Sequence, residues 1–314
     1  MIPNIKKTNQ DSSLIVRDLA GVKGLWLFGI MDGHGVNGHL VSDLVKRTLP
    51  SVLASIINGR NFDNTRKSLI SGKKNLIKKS IQSRNTYLPP LVNGSVKGRG
   101  SQNNSFNYQP QNGESSTDPY QSGDATFQDT WLTSDPILRD RQIHESFRIC
   151  QDKIEQMNDM SKLDSMFSGT TVVTVLMQGD TVVCANSGDS RAIMCSTNSA
   201  GVWYYKALSR DHKPEEQDEA NRVRKMNGRI EQSRMIPQGG GLPQFFGPKR
   251  VWLKTKQAPG LAMTRSLGDL VAKSVGVTYE PEIKSFTDLK QGTDKVLVIA
   301  SDGLTMRRET LMGL

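Results

Sequence analysis

The segment that most constrains this chain is Asp32-Gly33-His34-Gly35, placed directly after the apolar run Leu25-Trp26-Leu27-Phe28-Gly29-Ile30-Met31. A continuous apolar run ending in glycines predicts a buried strand that stops at a tight turn. Such a turn gathers one carboxylate, one backbone carbonyl and one imidazole. Carboxylate and carbonyl oxygens are the ligands preferred by hard divalent cations such as magnesium and manganese. A second strand-end aspartate follows far downstream, where Val296-Leu297-Val298-Ile299-Ala300-Ser301 leads into Asp302-Gly303. Either Asp-Gly alone reads more simply as a plain turn. Two of them at the ends of two buried strands, one with a histidine attached, predict a metal site between strands.

The chain has 314 residues, enough for one large domain or two small ones. Its hydrophobic share of 36 % is low for a folded domain, and the deficit is local. Residues 92–125 are dominated by Asn, Gln, Ser and Gly, which cannot bury enough apolar surface to offset ordering entropy. They are expected to form a disordered insert within a single domain spanning 1–314. The net charge of +10 does not mark a nucleic-acid binder, because the densest basic runs, 73–79 and 222–225, alternate with apolar positions as solvated helix faces do. Cys150, Cys184 and Cys195 are too few and too irregular for a disulfide framework or a zinc site. No apolar stretch approaches a membrane span, and the first residues lack a secretory hydrophobic region. The expected setting is intracellular, cytoplasmic or nuclear, and the expected state a monomer.

Apolar residues from Leu40 to Ile57 recur at helical spacing, with Pro50 expected to break or kink the run. A second helix is predicted from Pro136 to Met160, with Ile137, Ile143, Phe147, Ile154 and Met157 on one face. Two β-branched runs, Thr170 to Met177 and Thr181 to Ala185, flank a Gly-Asp turn and predict a hairpin. Pro214 to Met226 reads as a helix with Asp218 and Arg222 paired at i,i+4 and Gly228 as its stop, and 238–247 reads as a loop. Strands and helices come in blocks, without regular alternation, so the fold class is α+β.

Seven short motifs now stand in order: Asn9-Gln10-Asp11, Asp32-Gly33-His34-Gly35, Ser168-Gly169-Thr170-Thr171, Asn186 to Ala192, Asp211-His212-Lys213-Pro214, Ala262 to Asp269, and Ala300-Ser301-Asp302-Gly303. Together they resemble the metal-dependent serine/threonine phosphatases of the protein phosphatase 2C family, and the Asn-Gln-Asp form is most similar to plant and protist members. The resemblance implies a central β-sandwich of two antiparallel sheets flanked by helices, in four layers α-β-β-α. It implies two magnesium or manganese ions, with a looser third, in a cleft at one end. Asp32 would bridge both metals, the Gly33 carbonyl and Asp302 would each bind one, and Asp11 would reach the site directly or through water. Asp189 corresponds to a ligand of the looser ion, and Lys6 falls near the family's phosphate-contacting basic residue. The implied activity is hydrolysis of phosphoserine and phosphothreonine in protein substrates by an activated water, with His34 protonating the departing oxygen. Arg191, Asp211, Arg265 and Asp269 are expected to form structural ion pairs, and the segment through Gly239-Gly240-Gly241 and Phe245-Phe246-Gly247 to form a variable flap beside the cleft.

The sequence also departs from the family pattern. Lysine at position 6 offers a point charge where the family has arginine's bidentate fork. Met306 stands where an acidic residue is usual, and the sequence reaches Leu314 without the Asp-Asn strand that completes one metal's shell. The last strand and helices are therefore expected to be missing, and a catalytically weak phosphoprotein-binding module is the alternative reading. Other phosphatase chemistries are excluded. Cysteine-dependent enzymes need an arginine six residues after the nucleophile, and Gln156, Ser190 and Gly201 hold those positions.

Overall fold

The structure, a computed structural model, describes residues 8–59, 131–235, 242–287, 289 and 293–303, all within one compact unit. Lys6 and the insert expected at 92–125 lie outside the described residues.

The opening apolar run forms β2 (Trp26–His34), which pairs antiparallel along one edge with β1 (Asp11–Val16). The strand does not stop at Asp32 as the glycines suggested. It continues through Asp32-Gly33-His34, because Gly33 and His34 pair with Thr170 and Gly169 of β3 (Gly169–Thr170), and the turn comes at Gly35, in the left-handed region with φ 81°. Beside β2 runs the expected hairpin, β4 (Val172–Gln178) and β5 (Thr181–Ser187), with Gly179-Asp180 as its two-residue turn. These strands join β11 (Leu267–Gly268) and β12 (Glu282–Phe286) in a seven-stranded sheet of order β11-β3-β2-β4-β5-β12, with β1 attached to β2.

The period-two alternation of β4 and β5 explains why both faces of this sheet are covered. Val173, Val175, Val182 and Cys184 face Ala192 and Met194 of β6 (Arg191–Thr197), in a second sheet of order β13-β6-β7 that also holds β7 (Trp203–Ala207) and β13 (Asp294–Ala300). Val172, Leu176, Val183 and Ala185 belong to the larger core, shared with α1 (Gly38–Ile57) and α3 (Pro136–Asp159), which follows the short α2 (Trp131–Ser134). The antiparallel sandwich with flanking helices is thus the expected one. Three of the four layers are present, and the outer helical layer has no counterpart among the described residues, where β7 is exposed along its whole length.

Several local expectations are corrected. Pro50 does not break α1, whose buried stripe Val41, Val45, Leu49, Leu53 and Ile56 runs straight past it. Burying five apolar side chains at about 1.5–3 kcal/mol each outweighs the roughly 3 kcal/mol cost of an internal proline. Ile137 sits in the first turn of α3 and is 83 % exposed, off the face shared by Ile143, Phe147 and Ile154. The helix expected from Pro214 is shorter, α4 (Gln217–Lys225), and Asp218 pairs with Arg210 while Arg222 pairs with Glu219. Of the loop expected at 238–247, residues 238–241 lie outside the described residues, and Gln244 already begins β9 (Gln244–Trp252). That strand pairs with β8 (Arg229–Met235) and β10 (Pro259–Leu261) in a third sheet, over a small core of Val223, Val251, Leu261, Ala272, Val275 and Val277. No described helix is long and apolar enough to cross a membrane.

Candidate active site

Four aspartates from four parts of the chain share one electrostatic field at an end of the sandwich. Asp11 lies directly across the β1–β2 ladder from Asp32. Asp302 follows β13, and the preceding Ser301 hydroxyl donates to Asp11 Oδ2 at 3.2 Å, so the two strand ends are tied together. Asp189 sits in the turn between β5 and β6, 2 % exposed, with Lys213 Nζ 3.7 Å from its carboxylate. Burial, followed by the negative charges of Asp11, Asp302 and Asp189, pushes Asp32 up to about 7, against a smaller opposing pull from His34. Asp189 is also raised, first by burial and then by Asp302 and Asp211, with Lys213 opposing.

The backbone around these carboxylates is held by short polar links. The Asp32 N–H donates to Thr171 Oγ1 at 3.1 Å, and Thr171 N–H returns a bond to the Asp32 carbonyl at 2.9 Å. Gln10 bridges two further segments: its carbonyl accepts from Gly33 N–H at 3.2 Å and its amide donates to the Gly35 carbonyl at 2.9 Å. Gly33 has no room for a side chain, since a Cβ there would lie 2.5 Å from the Gly38 carbonyl and 2.6 Å from that of Gln10. This close approach brings β1, β2 and the start of α1 together beside Asp32.

His34 departs most from expectation in its surroundings. Its Nε2 bonds Asp269 Oδ2 at 2.6 Å, a residue 235 positions away that was expected to serve only in a structural ion pair. Burial lowers the His34 pKa, but the charge and hydrogen bond of Asp269 outweigh it and the net shift is upward. In turn Asp269, raised by burial, is held below the usual carboxylate range by His34, Lys273 and Ser266. The other residues expected in ion pairs do form them. Arg191 grips Asp211 through two bonds of 2.9 Å, and Arg265 binds the fully buried Glu219 at 2.6 and 3.0 Å. Phe245 and Phe246, expected in a variable flap, are 60 % and 54 % exposed on β9. Thr171 and Gln10 both lie in the short motifs, but nothing in their spacing assigned them to the support of the backbone around Asp32.

A family profile described as Protein phosphatase 2C matches residues 71–309. The chain belongs to the protein phosphatase 2C family. It is 30 % identical over 95 % of its length to a protein described as probable protein phosphatase 2C 14 from Oryza sativa subsp. japonica, covering 48 % of that relative. Probable protein phosphatase 2C 1 from Arabidopsis thaliana is also 30 % identical over 95 % of the chain, with 52 % of its own length covered. The chain therefore spans about half the length of these relatives. Among solved structures, a serine-threonine phosphatase 2C from Toxoplasma gondii superposes with a TM-score of 0.59 over 96 % of this chain and 75 % of that one, at 17 % identity, which shows a shared fold.

Protein phosphatase 2C enzymes depend on metal, commonly magnesium or manganese, and the donors present here suit such ions. They are carboxylate and backbone oxygens with no thiolate. The mutual repulsion that raises Asp32 is what a bound cation relieves. Among the described residues no three acidic, histidine or cysteine side chains close into a compact cage.

Proposed function

We propose that this protein hydrolyses phosphoserine and phosphothreonine in protein substrates with the help of divalent cations. The observation that carries the reading is Asp32, a carboxylate pushed up to about 7 by burial and by three neighbouring aspartates, a concentration of negative charge that a cation would neutralise. Asp11, Asp32, Asp189, Asp302 and the Gly33 carbonyl would hold the ions. When bound, such ions supply activation of water and neutralisation of phosphoryl charge. The chain's own contribution is placement and a proton. Asp32 is fixed by its backbone bonds to Thr171, and His34, two residues further along the same strand, has its imidazole bonded to Asp269. A seryl or threonyl alkoxide leaves poorly unless protonated, and His34 is the titratable group beside Asp32 that can deliver the proton. Lys6, which lies outside the described residues, is the phosphate contact that the resemblance implies.

The test is phosphate release from phosphoserine and phosphothreonine peptides, with manganese or magnesium titrated against a chelator. Turnover should require the added ion and disappear on chelation. Turnover that survives exhaustive chelation, or its absence at every metal concentration, overturns the reading.

A further inference from the structure

Two of the motifs, Ser168-Gly169-Thr170-Thr171 and the Ala262 to Asp269 segment, supply no cation ligand and no proton to the chemistry described above. Strand register explains what they do. His34 pairs with Gly169 across β2–β3, and Gly169 pairs with Gly268 across β3–β11, so His34, Gly169 and Gly268 stand in one row across three strands. Asp269 is the next residue after that row. Its backbone turns into the left-handed region, φ 49° and ψ 51°, where a non-glycine residue is uncommon. From there the carboxylate, 1 % exposed, reaches back over Gly169 to His34.

Each part of this row is fitted to that reach. A Cβ at position 169 would lie 2.2 Å from Asp269 Oδ2 and 2.6 Å from its Cγ, so only glycine leaves room for the carboxylate. The Asp269 N–H donates to the Ser168 carbonyl at 2.9 Å and fixes its backbone, and Ser266 Oγ donates to Asp269 Oδ2 at 2.6 Å and fixes its side chain. Lys273 donates to the Ser266 carbonyl at 2.5 Å and adds positive charge nearby. On the other side of the contact, the His34 side chain is 21 % exposed as a whole, while its Nδ1 is itself buried and has no hydrogen-bond partner among the described residues. One ring nitrogen is committed to Asp269, and the other is a buried polar atom left unsatisfied by the described residues, which points to a partner from outside the protein.

We propose that Asp269 is a positioning residue for His34, holding the imidazole by Nε2 across the side-chain-free Gly169 so that Nδ1 is the nitrogen that meets the leaving oxygen of the substrate. This deepens the phosphatase reading and rests on it for the role of Nδ1. In the step concerned, water adds to phosphorus, the phosphorus–oxygen ester bond breaks, and the departing seryl or threonyl oxygen takes the proton from Nδ1. The ring keeps its Nε2 proton on Asp269 throughout and regains the Nδ1 proton when solvent, which has received the one lost by the attacking water, enters as the product leaves. A negatively charged partner on the far nitrogen fixes both the ring's orientation and which nitrogen gives up its proton, the logic by which a carboxylate orients a catalytic histidine elsewhere.

The experiment compares the full protein with Asp269→Asn, Gly169→Ala, His34→Ala and the double variant His34→Ala/Asp269→Asn. With manganese present, Asp269→Asn and Gly169→Ala should each lower kcat on a phosphoserine peptide by about tenfold to a hundredfold, part of the roughly 10²–10⁴ expected of general acid catalysis. KM should stay within about twofold, and the loss on nitrophenyl phosphate, whose leaving group needs no proton, should be small. In the His34→Ala background, Asp269→Asn should cost nothing further. Additive losses in the double variant, or equal losses on both substrates, overturn the proposal.

A second readout does not depend on turnover. In protein labelled with ¹⁵N at histidine, the Nε2 proton of His34, assigned by its disappearance in His34→Ala, should be protected from solvent exchange and sensitive to Asp269→Asn and Gly169→Ala. If the wild-type protein proves inactive, the phosphatase reading falls while this spectrum still decides the contact. Should the Asp269 and Gly169 variants fail to fold, the wild-type spectrum alone decides it. An Nε2 proton exchanging as freely as that of a solvent-exposed histidine overturns the proposal.

Discussion

His212 gives the sharpest test of the electrostatic picture away from the cleft. The ring is fully buried, its Nδ1 accepts from Gly188 N–H at 3.2 Å, and its Nε2 lies 3.5 Å from Glu282, too far for a good hydrogen bond. Burial, then the positive charge of Arg265, lowers its pKa from 6.5 to about 4, although Glu219 and Glu282 pull the other way. The folded protein therefore holds a neutral ring over a range in which the unfolded chain binds a proton. Its contribution to stability is complete above pH 6.5, declines as the pH falls, and levels off below about 4. Two-state linkage with these two values gives a loss of about 2 kcal/mol at pH 5 and about 3 kcal/mol at pH 4, relative to pH 8.

The assay is equilibrium urea unfolding, followed by tryptophan fluorescence, of the wild type and His212→Asn at pH 8, 5 and 4. Asparagine can accept from Gly188 through its amide oxygen and does not titrate. The other ionisable groups cancel in the difference between the two proteins. The asparagine variant should be the less stable at pH 8 and should close the gap by about 2 kcal/mol at pH 5. Parallel stability curves for the two proteins would refute the claim that His212 is held neutral in the fold.

Glu219→Gln should cost about 3–5 kcal/mol in the same assay, because the buried carboxylate accepts from Arg222, Arg265 and Thr264 and its loss leaves buried positive charge without a counter-ion. Gly33→Ala should lower stability by about 1–3 kcal/mol, as a Cβ 2.5 Å from the Gly38 carbonyl forces β1 and α1 apart; a calorimetric Tm equal to wild type would contradict the crowding. Asp32→Asn should raise the Tm of the chelated protein at pH 8 by removing the carboxylate that its neighbours repel, and should abolish the further rise that manganese gives the wild type. Thermal shifts with and without manganese check both halves of that prediction.

Elements with a strong local signal were legible in the sequence. The limits of α3 were nearly those expected, because Asp135 caps it through Leu138 N–H, Pro136 sits in the first turn, and the apolar stripe has helical spacing. The Gly179-Asp180 hairpin was equally plain. Errors arose where a distant partner overruled a local cue. Glycines after Met31 suggested a turn, but Thr170 and Gly169 pair there and the strand continues. Phe245 and Phe246 looked like loop residues, yet their backbones complete a ladder with Arg234 and Ser233. Asp218 and Arg222 had the right spacing for each other and found stronger partners in Arg210 and Glu219.

The site divides along the same line. Asp32 and Asp302 could be picked out because each ends an apolar run, a signal contained in a few consecutive residues. The dependence of one motif on another could not, because it is a matter of register across strands. Thr171 supports the backbone of Asp32, Gln10 joins Gly33 to Gly35, and Asp269 holds His34 only because Gly169 lies between them without a side chain. In each case a short polar or glycine-containing motif is explained by a residue in a different motif, far away in sequence. A change in any supporting motif should therefore act through Asp32 or His34 and reproduce part of the effect of altering those residues directly, even though the changed side chain touches neither substrate nor metal.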